Sequence, residues 1–491
     1  MRTFGLLAAR RSRRPGRRAI SVGTAALLAT AVLGANAAYA TVVALDGGGA
    51  QPEDVLPSTV LALAKVDMDP AFGQKRALLQ LSRKFPKSSA TTTGGLKDNL
   101  LRSVFDGSDF NYERDIKPWV GQRAAVGAIA DATADSGFSA IAAIQYNDAA
   151  VAREGLKRIT AAQVRARSQN RLFFARKNGY VLVAETQAHI DAAFSSTQPL
   201  SSVDGYREAM ASLSGDQIAT AWVNLRATFL ATPAEDRKLV PVFSSLKRVP
   251  TGHFVVGLHA ASSYLEVQGK AVGTNEETDL NMYGGVGLGP GANLLANYPA
   301  DTWAAIDMTG LGDALVRYYH SSGLDKDPDV AAAAEEYGIT LPADIKTLFG
   351  DETAVGVFGN GDGIQVVMRV LSTTPSASAG VATKILTAGG GSRSQISGLV
   401  RTEKDGYFVG SSKAAVVKAA TTTAHLGETV SFRRALPEAA GAGISVYINV
   451  QGTMRAFEAD AATRYEYRYV DAFGFTMNPA TKSFRMRLTV K

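Results

Sequence analysis

Apolar and polar positions along this chain alternate with a period of two, or fuse into short apolar runs, and turn residues separate the runs. Both patterns predict strands. VLALAKVD, residues 60–67, is the first. Asp69-Pro70 then supplies an N-cap and a first-turn proline, so a helix is expected from there to about Phe85, where Pro86 stops it. A helix is expected near 95–105 and a strand at about 122–129, with GFSAIAAIQY from Gly137 as its antiparallel partner. Asn147-Asp148 caps a helix to about Ile159. RLFFARKNGYVLVAE from Arg171 reads as a hairpin because apolar runs flank Asn178-Gly179. Helices near 187–196 and 204–213, a strand in QIATAWVNL, a helix over 234–247 and a two-stranded ribbon from Gly252 complete this stretch.

The order then repeats. DIKPWVGQRAAVGA from Asp115 shares its grammar with DIKTLFGDETAVGV, which starts 229 residues later at Asp344. NGYVLVAETQAHIDAA from Asn178 matches DGYFVGSSKAAVVKAA, 227 residues on at Asp405. YPADTWAAID from Tyr298 answers the opening strand, pairing Asp307 with Asp67, and Asn449 answers Asn224. These phrases predict two duplicated halves and superposition of Tyr180 on Tyr407 and of Asp115 on Asp344. Hairpins dominate and helices intervene irregularly. The predicted class is therefore α+β, two internally duplicated halves with mainly antiparallel sheets and flanking helices, preceded by one transmembrane helix.

Charge sharpens the N-terminal reading. Arg2, Arg10, Arg11, Arg13, Arg14, Arg17 and Arg18 carry the whole formal net charge of +7, since the remaining 45 Lys and Arg face 45 Asp and Glu. A neutral body gives no support for a nucleic-acid groove. The uncharged apolar run 19–45 that follows is 27 residues, about 40 Å as a helix, against a hydrocarbon core of about 30 Å. Two readings stay open: an uncleaved signal anchor using the whole run, or a signal peptide cleaved after Ala40 in Ala38-Tyr39-Ala40. Both place the body outside the cytoplasm, since the positive tail stays in. The expected divisions are 1–18, a basic cytoplasmic tail; 19–45, the anchor; 46–57, a Gly/Pro/acidic linker; 58–282, the first half; 283–292, a linker; and 293–491, the second half. With no cysteine, disulfides, thiol nucleophiles and thiolate metal sites are excluded.

The opening LPSTVLALAKVDMDPAFGQKRALLQLSRKFP, with the anchor and the NGY hairpin, resembles the actinobacterial membrane proteins grouped as domain of unknown function 3352. The residues that carry the resemblance are Pro57, Asp67, Asp69, Pro70, Gly73, Gln74, Lys75, Lys84, Phe85 and Pro86. It implies no catalytic residue.

Nor do the motifs. Gly-x-Ser-x-Gly, His-Glu-x-x-His, a Walker loop and an EF-hand series are all missing from the sequence. Ser244-x-x-Lys247 lacks a Lys-Thr-Gly partner. His253 and His259 share a predicted strand face but stand about 20 Å apart, too far for one metal. His320 reads as a helix-end cap. Asp67-Met68-Asp69 could form a cation or acid/base pair, with Asp69 better used as an N-cap. Gly359-Asn360-Gly361-Asp362-Gly363 precedes a strand and reads as a hairpin turn, and Gly389-Gly390-Gly391 as a helix terminator. Asp351-Glu352 replaces Gln122-Arg123, and a function confined to one half would sit at such unmatched positions. Catalytic residues are thus unknown, and no cofactor or metal is expected. The leading expectation is a non-enzymatic envelope binding or scaffold protein, held to the membrane by its N-terminal helix, with a cell-envelope component or protein as partner. An envelope hydrolase or transferase without a recognisable motif is the alternative.

Overall fold

The computed structural model describes residues 50–67, 72–84, 110–134, 136–166, 171–240, 243, 246–276, 278, 286–287, 289–359 and 363–491. The apolar run 19–45, Asp69 with its cap, the helix expected at 95–105, Ser244 and residues 360–362 of the Gly359–Gly363 turn lie outside these residues.

Sixteen strands form one antiparallel sheet. The first eight are β1 (Val60–Asp67), β2 (Val120–Ala130), β3 (Phe138–Tyr146), β4 (Phe173–Lys177), β5 (Tyr180–Ala184), β6 (Ala219–Asn224), β7 (His253–Ala261) and β8 (Tyr264–Val272). The second eight are β9 (Ala304–Thr309), β10 (Glu352–Phe358), β11 (Gln365–Leu371), β12 (Val400–Glu403), β13 (Gly406–Gly410), β14 (Ile444–Asn449), β15 (Val470–Asn478) and β16 (Ser483–Val490). Their order is β12-β13-β11-β10-β9-β14-β15-β16-β8-β7-β6-β1-β2-β3-β5-β4. Read from the central β16/β8 contact outwards, each strand of one end faces its counterpart eight places on in the other. At strand spacings of about 4.8 Å the sheet is roughly 70 Å wide. Where the sequence predicts sheets belonging to each half, one sheet runs through both, because β16 and β8 pair from Ser483↔Lys270 to Thr489↔Tyr264.

Apolar side chains on alternate positions fill both faces. On the β4 end, Tyr180, Leu182 and Ala184 pack with Ile190 and Ala193 of the helix Gln187–Ser195 on one face. Val181 and Val183 of the same strand pack with Ala152 and Ile159 of the helix Ala149–Arg165 on the other. The β12 end repeats this. Phe408 packs with Val416 and Ala419 of Lys413–Thr421, and Tyr407 packs oppositely with Ala379 and Ala382 of Pro375–Ala388. Asn224 and Asn449 end equivalent strands and cap equivalent helices, accepting from Ala227 N at 3.0 Å and Gly452 N at 2.8 Å. Within the span 234–247, where a helix is expected, the described residues hold a short 3-10 turn, Asp236–Leu239.

Turn geometry corrects one predicted superposition. Asn178-Gly179 turns the first hairpin with φ of 47° and 83°, so Lys177 pairs Tyr180. The second turns at Lys404-Asp405, one residue earlier relative to its DGY phrase, so Glu403 pairs Gly406. Gly406 therefore occupies the place of Tyr180, and Tyr407 points to the opposite face. A one-residue slip of this kind exchanges faces because strand side chains alternate. Both rings are buried, and their hydroxyls donate to main-chain carbonyls: Tyr180 to Ala50 at 2.7 Å and Tyr407 to Leu348 at 2.5 Å. On β10 of the same end the Tyr298 ring lies on Gly356, where any Cβ would overlap it. Its hydroxyl donates to Ala354 O and Val367 O, both at 3.0 Å.

Candidate functional site

The centre of each end carries enclosed ionisable groups, and the two ends differ in how these are paired. On β1, Lys65 pairs Ala125 of β2 and Asp67 pairs Arg123. Their side chains are tied in turn: Lys65 to Glu53 at 2.7 Å and Asp67 to Arg123 at 3.0 Å. On β9, Asp307 pairs Ala354 of β10, and Thr309 pairs Glu352. Thr220 opposes Lys65, and its counterpart Ser445 opposes Asp307. Asp307 thus stands where Lys65 stands, two residues from the position that the repeated phrases assign it, and Glu352 stands where Arg123 stands. Two cation–carboxylate pairs at one end become two carboxyls at the other.

Those carboxyls are enclosed: Asp307 is 5% and Glu352 3% exposed. The Gly289–Leu295 stretch closes over them. Ala292 N and Leu294 N donate to Glu352, at 2.5 and 3.3 Å, and Leu294 N also donates to Asp307 at 2.9 Å. Burial, then the charge of Glu352 and a hydrogen bond with it, push the Asp307 carboxyl up to about 8, against its main-chain donors. Like charges in one dry site cannot both ionise, so Asp307 keeps its proton and bonds its neighbour.

A second cluster gathers where β2, β3 and β5 end. Ser139 Oγ donates to Asp131 Oδ2 at 2.5 Å, and Thr133 Oγ1 donates to Asp131 Oδ1 at 2.6 Å. His189 Nε2 lies 3.7 Å from Asp131. These hydroxyl donors, Ser139 first, hold the Asp131 carboxyl down to about 2, whereas burial raises that of Glu185. Acyl-transfer chemistry needs the serine on the histidine. Here the serine is spent on the carboxylate, so the constellation is a hydrogen-bonded closure of the strand ends.

Two grooves open on the surface. One, about 650 Å³, lies between the helix Ala149–Arg165 and the edge strand β4. Arg153, Lys157, Arg171 and Arg176 stand around it, Leu156 and Phe174 form part of its floor, and none of its lining residues is acidic. The other, about 520 Å³, lies at the β16/β8 contact beside Arg83, Lys84, Arg434 and Lys491.

A profile for a protein of unknown function matches residues 21–383, well over half of the chain. The chain belongs to the DUF3352 family. No curated protein matches this DUF3352 chain significantly. A solved structure, crystal form III of TP0453, is similar at 11% identity, with 48% of this chain and 85% of that one covered and a TM-score of 0.22. At that score the likeness carries no argument.

In this DUF3352 chain the residues singled out by sequence do not converge. His253 and His259 are on β7 as expected, but each has its own use. His253 stacks on Trp222 at 5.4 Å, and burial lowers its pKa. His259 meets Gln74 and Asp216 O, both at 2.8 Å. His320 contacts Asp325 at 3.1 Å at the end of Leu311–Ser321. Asp115 is fully buried in the turn before β2, where Arg114, first of several donors, holds its carboxyl down to about 2. Asp344 lies in the helix Ala343–Phe349 before β10, where its Oδ2 accepts from Thr340 N at 2.8 Å. Among the described residues no group of three or more His, Cys, Asp or Glu is placed to hold a metal, and no helix is long and apolar enough to cross a membrane. The acid pair had one legible signal, the replacement of Gln122-Arg123 by Asp351-Glu352. The groove had none, since its cations come from a helix and from the stretch 171–176, whose packing the sequence does not announce.

Proposed function

We propose that this is a membrane-anchored protein whose body lies outside the cytoplasm and acts as a non-enzymatic binding or scaffold element of the cell envelope. The observation that carries the reading is the single sheet of about 70 Å, in which sixteen strands from both ends are joined edge to edge. Such a slab suits holding surfaces apart or presenting them. Its buried charges are used internally: Lys65 with Glu53, Asp67 with Arg123, and Asp307 with Glu352. The seven N-terminal arginines and the uncharged run 19–45 support the anchor and its orientation. The palindromic order supports descent of the two ends from one duplicated unit. The alternative, a hydrolase or transferase, has its best support in the Asp131–Ser139–His189 cluster, where the geometry favours structure over chemistry.

A reporter active only outside the cytoplasm, fused after Lys491, should be active, and replacing the seven arginines should weaken that topology. The membrane fraction should hold full-length protein that resists alkaline carbonate. A cytoplasmic C-terminus would sink the proposal, and a mature N-terminus at Thr41 would replace the anchored form with a secreted one.

A further inference from the structure

We infer that the groove beside β4 binds a single-chain anionic amphiphile, its charged head among Arg153, Lys157, Arg171 and Arg176 and its chain along the apolar floor. The inference deepens the binding reading above by naming a ligand class.

Three observations carry it. The first is charge complementarity. Four cations, two from one helix, one from β4 and Arg171 just before that strand, meet at one groove with no acidic lining residue, while the body as a whole is neutral. Lys157 pairs with the exposed Glu154 at 2.8 Å, whose charge also reaches Arg153, and Arg176 contacts Ala149 O at 3.4 Å. The second is the floor. Leu156 and Phe174, which pack on the same sheet face, are half-buried, and Val164 is 56% exposed although it lines the same groove. A volume of about 650 Å³ falls within the roughly 300–1,000 Å³ of small-molecule sites. An apolar wall left open beside a ring of cations matches a ligand with both characters and would waste half of itself on free phosphate.

The third is the contrast with the other end of the sheet. The helix Pro375–Ala388 carries one cation, Lys384, and the segment leading from it to β12 holds the short helix Arg393–Ile396 with Ile396 buried. The basic groove is therefore particular to the β4 end and is no by-product of the fold. A peptide adding to the β4 edge fits less well. Gln163 already uses both main-chain groups of Leu172, accepting from its N at 2.6 Å and donating to its O at 3.3 Å.

The test is photo-crosslinking of the full-length chain in zwitterionic nanodiscs with a diazirine-bearing alkyl phosphate, with labelled peptides identified by mass spectrometry. Label should concentrate on peptides spanning 153–176. Excess unlabelled alkyl phosphate should remove it. An alkyl trimethylammonium of equal length, or inorganic phosphate alone, should not. The Arg153→Glu/Arg171→Glu double variant should lose at least fivefold of the label, and Val164→Glu, which puts an acid on the floor, should lose a similar amount with all four cations intact. These side chains are exposed, so unchanged circular dichroism should accompany the loss. Label spread over the whole body, equal competition by the cationic amphiphile, or full competition by phosphate alone would each overturn the inference. None of those outcomes bears on which side of the membrane the body occupies, so the envelope reading fails or stands separately.

Discussion

Replacing Asp307 by Asn should change how stability depends on pH while leaving the fold intact. In the folded chain this carboxyl is pushed up to about 8, whereas its ordinary value is 3.8. The folded state therefore holds a proton that the unfolded chain releases above about pH 4. For a group whose folded pKa is raised in this way, the folded state loses stability as pH rises from about 4 to about 8, with no further loss above that. At about 1.4 kcal/mol per pH unit, the gap between 3.8 and about 8 sets an upper bound of about 6 kcal/mol. Buried sites respond with an effective dielectric constant nearer 20 than 4, which brings the expectation to about 2–4 kcal/mol. Asn keeps the size and can donate its amide to Glu352 as the protonated acid does, but it has no proton to lose. Urea denaturation followed by tryptophan fluorescence, with Trp119 and Trp222 buried as reporters, should find the two proteins within about 1 kcal/mol of each other at pH 4.5. At pH 8.5 the variant should be ahead by about 2–4 kcal/mol. Other groups, such as His253, whose depressed pKa gives stability that grows as pH rises, act equally on both chains and cancel in the difference. A difference that stays constant from pH 4.5 to 8.5 would refute the shared-proton account of the pair.

Three further outcomes are expected. Tyr407→Phe should cost about 0.5–1.5 kcal/mol through the lost bond to Leu348 O, and Tyr407→Ala about 3–5 kcal/mol, both read by thermal unfolding; equal costs would mean that the ring does not pack as described. At the central contact, Glu266→Ala should cost about 3–5 kcal/mol in denaturant because Arg487 and Arg485 lose their buried carboxylate. Glu266→Leu combined with Arg487→Leu should recover most of that cost, and no recovery would show that the pair is not acting through desolvation. Asp115 is held down to about 2, so its contribution is present above about pH 4 and lost as pH falls through 2. Asp115→Asn should flatten that acid limb, and an unchanged limb would assign it to other carboxylates.

Much of the architecture was legible as local phrases. Strands, the Asn178-Gly179 hairpin and the repeat order follow from alternation and turn chemistry, and the matched phrases do fall on matched strands. What the phrases could not give is register. The similar NGY and DGY turns differ by one residue in where the chain reverses, and this moves Tyr407 to the face opposite Tyr180. Irregularities between Val60 and Ala62, and between Val120 and Ala124, shift pairing further at one end. For the same reason Asp307 looked like the counterpart of Asp67 when its cross-strand neighbours make it the counterpart of Lys65. A cross-strand pair is set by bulges and turns far from the residues concerned, so the exchange of two ion pairs for an acid pair could be glimpsed only at Glu352.

The contact between β8 and β16 has a consequence for how the chain is made. Apart from the outer edge of β8, the first eight strands pair only with one another, so that end can fold while the rest is still being synthesised. β16 follows the other fifteen strands in sequence, and its Arg487 meets Glu266 across 221 residues. Until it arrives, the outer edge of β8 is an open row of main-chain donors and acceptors. Such an edge recruits any strand within reach, including the β8 of another nascent chain. Glu266 and Lys270 place charge along that row, which discourages wrong pairing during the wait. Chains that stop before residue 483 should therefore associate through β8, and their yield of monomer should fall with concentration in a way that chains carrying β16 escape.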